Sequence, residues 1–353
     1  MIHGYKLLER KLPENQRIYA ENKDRMVTLY GESSSRGLIH GPAFEAAQVE
    51  DDGYVDGYNT SVAIQTLDEL VQQDKPWFLA LGFVRPHLPF HAPKKYFDLY
   101  NPEEIQLTTS PEPPQNGASM GLHASFELRT RHDIPKSGPI NKSLSRKILH
   151  AYCACVSYVD AQIGRVIASL EKNKVRENTI IVVWGDHGWH LGEYGIWGKA
   201  TNYEIATRVP LIISTPSMPQ KGSPSDSLVE LIDIYPTLCD LIDVPLPNHL
   251  EGNSLAALLE KPDCHWDGVA LTTYGYRNHA IRDGQYRYIR YADLSEELYD
   301  HTTDPYEFTN LANDQTMMTT KRRLAAFLPK NETPPKPISK KENKRKKPNL
   351  LTD

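Results

Sequence analysis

The sequence lacks several features that would narrow its class at once. No apolar run in its 353 residues approaches the ~20 needed to cross a bilayer, so no membrane partner is expected. No apolar segment follows Met1-Ile2-His3-Gly4-Tyr5, so the chain as written opens on no signal peptide and is expected to be cytoplasmic. Cysteine is scarce, with four residues and no pattern of a disulfide framework. Cys153 and Cys155 lie two apart in a helical stretch and point to different faces, Cys239 sits in an apolar helical run, and Cys264 lies in a loop-like stretch. None has a catalytic context, and the first three read as packing residues. No internal repeat is present.

What is there suits an ordinary globular chain, with 39% hydrophobic and 24% charged residues. The net charge of −5 conceals an asymmetry. From Pro329 onward eight Lys or Arg stand against Glu332, Glu342 and Asp353, which gives the tail +5 and leaves about −10 for the body. A Pro-rich basic terminus with few apolar residues reads as a disordered, solvated tail over 329–353, and no nucleic-acid partner is expected.

Along the chain, residues 1–55 show little periodicity. Ala63, Ile64, Leu67, Leu70 and Val71 fall on one stripe and predict a helix over 59–73, capped by Asn59 or Thr60. The run 76–84 predicts a buried strand, followed by a Pro-broken loop over 85–90 in which His91, just beyond, reads as a surface residue. Residues 101–140 read as a long surface excursion, and Ile148, Tyr152, Cys155, Tyr158, Val159, Ile163, Val166 and Leu170 predict a helix over 143–172. Two further strands are expected at 179–184 and 209–213, then helices near 228–242 and 318–327. Alternating helix and continuous apolar strand imply an α/β layer with a mainly parallel sheet. Around residue 262 the texture turns to short alternating segments, which predict a small antiparallel β-rich subdomain. The expected organisation is therefore 1–262, 263–328 and the tail.

The sharpest feature runs Gly185-Asp186-His187-Gly188-Trp189-His190-Leu191-Gly192-Glu193-Tyr194-Gly195-Ile196-Trp197-Gly198-Lys199. Asp186 and His187 follow the end of a predicted strand, where ligand sites of open α/β sheets lie. A carboxylate there favours a hard cation such as Ca²⁺ or Mg²⁺, and Lys199 offers a point charge for an anionic oxygen.

This string resembles the second signature region of the sulfatases, and Arg85-Pro86-His87-Leu88-Pro89-Phe90 resembles their K-P-H-x-P-F segment, with Arg in place of Lys. Their order and spacing are similar to the iduronate-2-sulfatase-like branch, and the likeness extends through Glu230–Leu238, Arg287–Tyr291 and Glu297–Asp300. The resemblance implies an alkaline phosphatase-like α/β fold with a small C-terminal β-rich subdomain. It implies Asp186 and His187 as ligands of Ca²⁺, Lys199 as the grip on the sulfate, and His87 as the group assisting the leaving oxygen. Weaker substrate contacts fall on Arg85, His190 and His279. It also implies a sulfuric ester hydrolase acting on sulfated, uronate-containing polysaccharide, in a family whose full-length members are periplasmic, secreted or lysosomal.

The sequence departs from that pattern at the nucleophile. The family's formylglycine arises from Cys or Ser in C-x-P-S-R, and no such string occurs. The nearest, Ser33-Ser34-Ser35-Arg36, lacks the Pro and has Glu32 at the nucleophile position. The family's paired metal-binding aspartates are absent too. The expectation is an N-terminally truncated chain with an incomplete Ca²⁺ shell and little turnover alone. Its alternatives are a non-catalytic remnant, or a phosphate or phosphonate ester hydrolase of the same fold.

Overall fold

The computed structural model describes residues 10–35 and 37–334. The first described helix, Pro13–Tyr30, contradicts the expectation of an irregular N-terminal stretch. Its start is set by Pro at the first helical position, and Gly31, at φ 75°, ends it by returning its N–H to Val27 O at 2.8 Å. The helix carries no apolar stripe, because Asn15 is its one buried residue. It is held by Arg17 pairing with Glu14 and Glu21, both at 2.6 Å. Asn15 also donates to the buried Glu45 carboxylate at 2.9 Å, which ties the helix to the strand that follows.

That strand, β1 (Phe44–Ala47), pairs in parallel with β2 (Phe90–Pro93), Phe44 opposite Phe90. Neither strand was expected from the sequence. His91, read as a surface residue, is fully buried on β2. The helix between them spans Val55–Leu70, starting four residues earlier than predicted, with Tyr54 rather than Asn59 or Thr60 at its cap. The predicted strand over 76–84 does not form. The segment joins no ladder, and Phe78 is 82% exposed.

The helix Lys142–Lys172 is the backbone of the core. Asn141 caps it by accepting from Leu144 N at 2.9 Å. Ile148, Ala151, Cys155, Tyr158 and Gln162, three and four apart, form its buried stripe against β2 and the helix Val55–Leu70. The Tyr158 hydroxyl donates to Asp51 O at 2.8 Å and accepts from Gly57 N at 2.6 Å, fixing how that second helix begins.

β3 (Ile181–Trp184) pairs with β6 (Leu211–Ser214) antiparallel, with Trp184 opposite Leu211. Trp184 and Ile212 on this pair are 52% and 60% exposed. Between them the hairpin of β4 (His190–Leu191) and β5 (Trp197–Gly198) holds the signature string. The helix expected over 228–242 is confined to Ile234–Leu241, preceded by a turn at Leu231–Asp233.

A four-stranded antiparallel sheet follows, built from β7 (Ala270–Thr273), β8 (His279–Arg282), β9 (Tyr286–Arg290) and β10 (Glu296–Asp300) in the order β10-β9-β8-β7. The helix Met318–Ala325 closes it with Leu324 buried. Buried charges join this sheet to the α/β part. Arg287, 3% exposed, pairs with Glu204 and, at 2.8 Å, with Glu307, while its guanidinium donates to Asn202 O at 3.2 Å. Glu297, fully buried on β10, accepts from Tyr203 OH at 3.0 Å, Tyr291 OH at 2.8 Å and Ala118 N at 2.6 Å. The expected disordered tail divides. Residues 335–353 lie outside the described residues, whereas Glu332 is placed against β8.

Candidate active site

The loop that carries His87 is held from below. Asp56, with no solvent exposure on the helix Val55–Leu70, accepts from Val84 N at 2.7 Å and Arg85 N at 3.0 Å. Burial pushes the Asp56 carboxyl up, opposed by the charge of Arg85 and by these two N–H groups. Arg85 is itself 6% exposed. Its guanidinium donates to His91 O and His87 O, each at 3.0 Å, so it braces the loop from inside. Of the two roles open to Arg85, this geometry gives the structural one, and no substrate contact follows from it. Both X-Pro bonds of the loop, Arg85-Pro86 and Leu88-Pro89, are cis.

Lys199 arrives from the other side, just after β5. Gly192, at φ 113°, turns the β4–β5 hairpin and donates to Ile196 O at 2.9 Å. Ser125 Oγ accepts from Trp197 N at 2.8 Å, which docks the hairpin on the short helix Phe126–Arg129. Lys199 Nζ then lies 5.4 Å from the centre of the buried Trp189 ring.

His87 and Lys199 meet on Glu127. His87 Nε2 stands 3.0 Å from Glu127 Oε1 and Lys199 Nζ 3.2 Å from Oε2. The His87 ring is oriented by Nδ1 at 2.7 Å from Leu88 O. Burial would push the Glu127 carboxyl up, but the His87 hydrogen bond and the Lys199 charge outweigh it and hold it at about 2. Glu127 is therefore a full anion between two donors. Sequence reasoning missed it, since a single Glu in Phe126-Glu127-Leu128-Arg129, inside a stretch read as surface excursion, carries no spacing signal.

Asp186 and His187 stand at the end of β3, where Gly185 N donates to Pro210 O at 3.1 Å. Asp186 Oδ1 accepts from His187 N at 3.0 Å, His187 Nε2 lies 3.4 Å from Asp186 Oδ2, and His187 Nδ1 lies 2.9 Å from Gly188 O. The glycine after them is required by space. A Cβ on Gly188 would sit 1.9 Å from Ile205 O, where Gly188 N already donates to Ala206 O at 2.8 Å. The Asp186 side chain is 84% exposed. Among the described residues no group of three His, Cys, Asp or Glu side chains is placed to hold a metal ion. Ca²⁺ seeks six to eight oxygens, so Asp186 and His187 alone do not fit it.

The two remaining candidates lie inside the protein. His190 is fully buried among Tyr194 and Tyr203, with Nε2 at 2.8 Å from Thr201 Oγ1. Burial pushes its imidazole down to about 3, keeping it neutral. It presents no surface to a solute. His279, 5% exposed, has Nδ1 at 2.8 Å from Thr273 Oγ1 on β7 and Nε2 at 3.0 Å from Glu332 Oε1 beyond the closing helix, so both ring nitrogens have internal partners.

The body is an α/β fold in which two loops end on one carboxylate, that of Glu127. Residues 10–244 match the family model described as Sulfatase, and residues 192–333 match the one described as N-sulphoglucosamine sulphohydrolase, C-terminal. A sulfatase of Formosa agariphila is 41% identical over 260 residues, covering 72% of this chain and 50% of that protein. Human iduronate 2-sulfatase is 36% identical over 222 residues, covering 54% of this chain and 40% of the human protein. The solved phosphonate monoester hydrolase of Agrobacterium radiobacter superposes with a TM-score of 0.68 at 25% identity, covering 89% of this chain and 68% of that one. A structure in complex with D-glucosamine-2-N,6-O-disulfate superposes with a TM-score of 0.65 at 23% identity, covering 77% and 68%. The chain belongs to the sulfatase family and has the alkaline phosphatase/sulfatase fold. It spans about half the length of the curated relatives it matches.

Proposed function

We propose that this chain supplies the sulfate-gripping side of a sulfuric ester hydrolase acting on sulfated, uronate-containing polysaccharide. The observation that carries the reading is the carboxylate of Glu127 held by His87 at 3.0 Å and Lys199 at 3.2 Å, because those donors converge on an anion. Lys199 would neutralise ester oxygens as charge grows on them, and His87 would deliver a proton to the departing sugar oxygen. The relatives named sulfatase and iduronate 2-sulfatase support sulfate over phosphate, and the latter supports a uronate. No C-x-P-S-R or S-x-P-S-R string occurs in the 353 residues, so this chain by itself is expected to bind without turning over. Loss of a nucleophile costs on the order of 10⁶ in rate.

The test is a calorimetric titration of the chain with inorganic sulfate and inorganic phosphate. Sulfate binding that falls about tenfold in Lys199→Ala supports the reading. Undiminished binding in that variant would refute it. For the Ca²⁺ that the family resemblance implies, Asp186 and His187 are an incomplete ligand set, so affinity is expected to be millimolar at best. Micromolar Ca²⁺ should therefore leave the melting temperature unmoved, and a rise of several degrees would show a ligand set richer than these two residues.

A further inference from the structure

The seat between His87 and Lys199 is filled by the protein's own Glu127. We propose that Glu127 is an internal competitor, its carboxylate occupying the position of a ligand's sulfate, so that an oxyanion binds by displacing it. The inference rests on the sulfate-ester reading for the chemistry of that ligand.

Four observations carry it. The carboxylate divides its oxygens between the two donors, Oε1 to His87 and Oε2 to Lys199, as a tetrahedral anion would with two of its four. The remaining exposure of these side chains, 43% for His87, 25% for Lys199 and 22% for Glu127, leaves a path for a solute. The backbone beside Glu127 is anchored. Leu128 is fully buried, and Ser125, at φ 57°, holds the β4–β5 hairpin through its hydroxyl. Displacement therefore needs only a swing of one side chain. Finally, a doubly charged sulfate brings more charge to the same two donors than the single carboxylate does.

A fixed brace predicts the opposite behaviour. If Glu127 served only to hold His87 and Lys199 in place, its removal would loosen them and weaken anion binding. The two roles separate in a comparison of the full chain with Glu127→Gln and Glu127→Asp, all checked for native circular dichroism and melting. Inorganic sulfate is the probe. Glu127→Gln is expected to bind sulfate about tenfold more tightly than the parent, and Glu127→Asp, one methylene short of reaching both donors, to fall between. In the parent chain, sulfate should shift the ¹³C resonance of the Glu127 carboxyl as it leaves its partners. Equal or weaker sulfate binding in Glu127→Gln, with binding still dependent on Lys199, overturns the competitor and leaves the sulfate site standing. Sulfate binding that survives Lys199→Ala in every background removes the sulfate reading, and the competitor with it.

Discussion

Removing the Asp56 carboxylate should cost the fold more than any change at the surface of the site. Asp56 has no solvent exposure and accepts from two backbone N–H groups, Val84 at 2.7 Å and Arg85 at 3.0 Å. Asp56→Ala leaves both donors without that acceptor, at ~1–3 kcal/mol for each such group. It also strips a nearby negative charge from Arg85, and breaking a buried charge pairing from one side typically costs about 3–5 kcal/mol. These effects share partners and do not add. Arg85 keeps its bonds to His87 O and His91 O, which lowers its share. The expected loss is about 3–4 kcal/mol, read as a shift of the urea midpoint at constant slope and followed by tryptophan fluorescence. Asp56→Asn retains one carbonyl acceptor and should lose about half as much. A loss below about 1 kcal/mol in Asp56→Ala would mean that the His87 loop is not hung from this residue.

The Glu127 carboxyl, held at about 2 against an ordinary 4.5, makes acid stability depend on the same cluster. A depressed carboxyl stabilises the fold above its unfolded value and loses that contribution as pH falls through its folded one, here between about 4.5 and about 2. After solvent screening the effect is about 1 kcal/mol, and Glu127→Gln should flatten the stability profile across that window; an unchanged profile would contradict the pairing. Gly188→Ala would force a Cβ to within 1.9 Å of Ile205 O, backbone against side chain, and is expected to cost ~2–3 kcal/mol in calorimetric melting. A melting temperature equal to the parent's would show that the loop can shift freely. Ile212, 60% exposed on β6, should bind hydrophobic dye together with Trp184. Ile212→Lys is expected to reduce dye binding and self-association in light scattering while changing stability by no more than about 0.5 kcal/mol, and undiminished association would place the sticky surface elsewhere.

How much of this could be read in advance depended on whether a residue's role left a periodic trace. The helix Lys142–Lys172 announced itself because Ile148, Cys155 and Tyr158 repeat at helical spacing, and the structure agrees to within a residue. The helix Pro13–Tyr30 did not, because ion pairs on a polar surface leave no apolar stripe. β1 and β2 are four residues each, too short to show alternation, and β2 begins inside a Pro-rich loop. The run over 76–84 has the composition of a strand, yet composition alone cannot supply the neighbouring ladder that a strand requires. At the site, His87 and Lys199 stood out through their motifs. Glu127 became visible only when the fold carried it between them, and the engagement of Arg85, His190 and His279 with internal partners is tertiary information.

The buried charges beneath the small sheet bear on where this molecule can be divided. Texture places a border near residue 262, but Arg287 on β9 is neutralised by Glu204 from across that border, and Glu297 on β10 takes the hydroxyl of Tyr203 and the backbone of Ala118. Cutting the chain at the border would leave Arg287 with Glu307 but without Glu204, and the buried Glu297 without Tyr203 and Ala118. The two parts are therefore expected to melt as one cooperative unit, and a substitution at Arg287 should be felt on the far side, in the segment leading from Lys199 to Glu204.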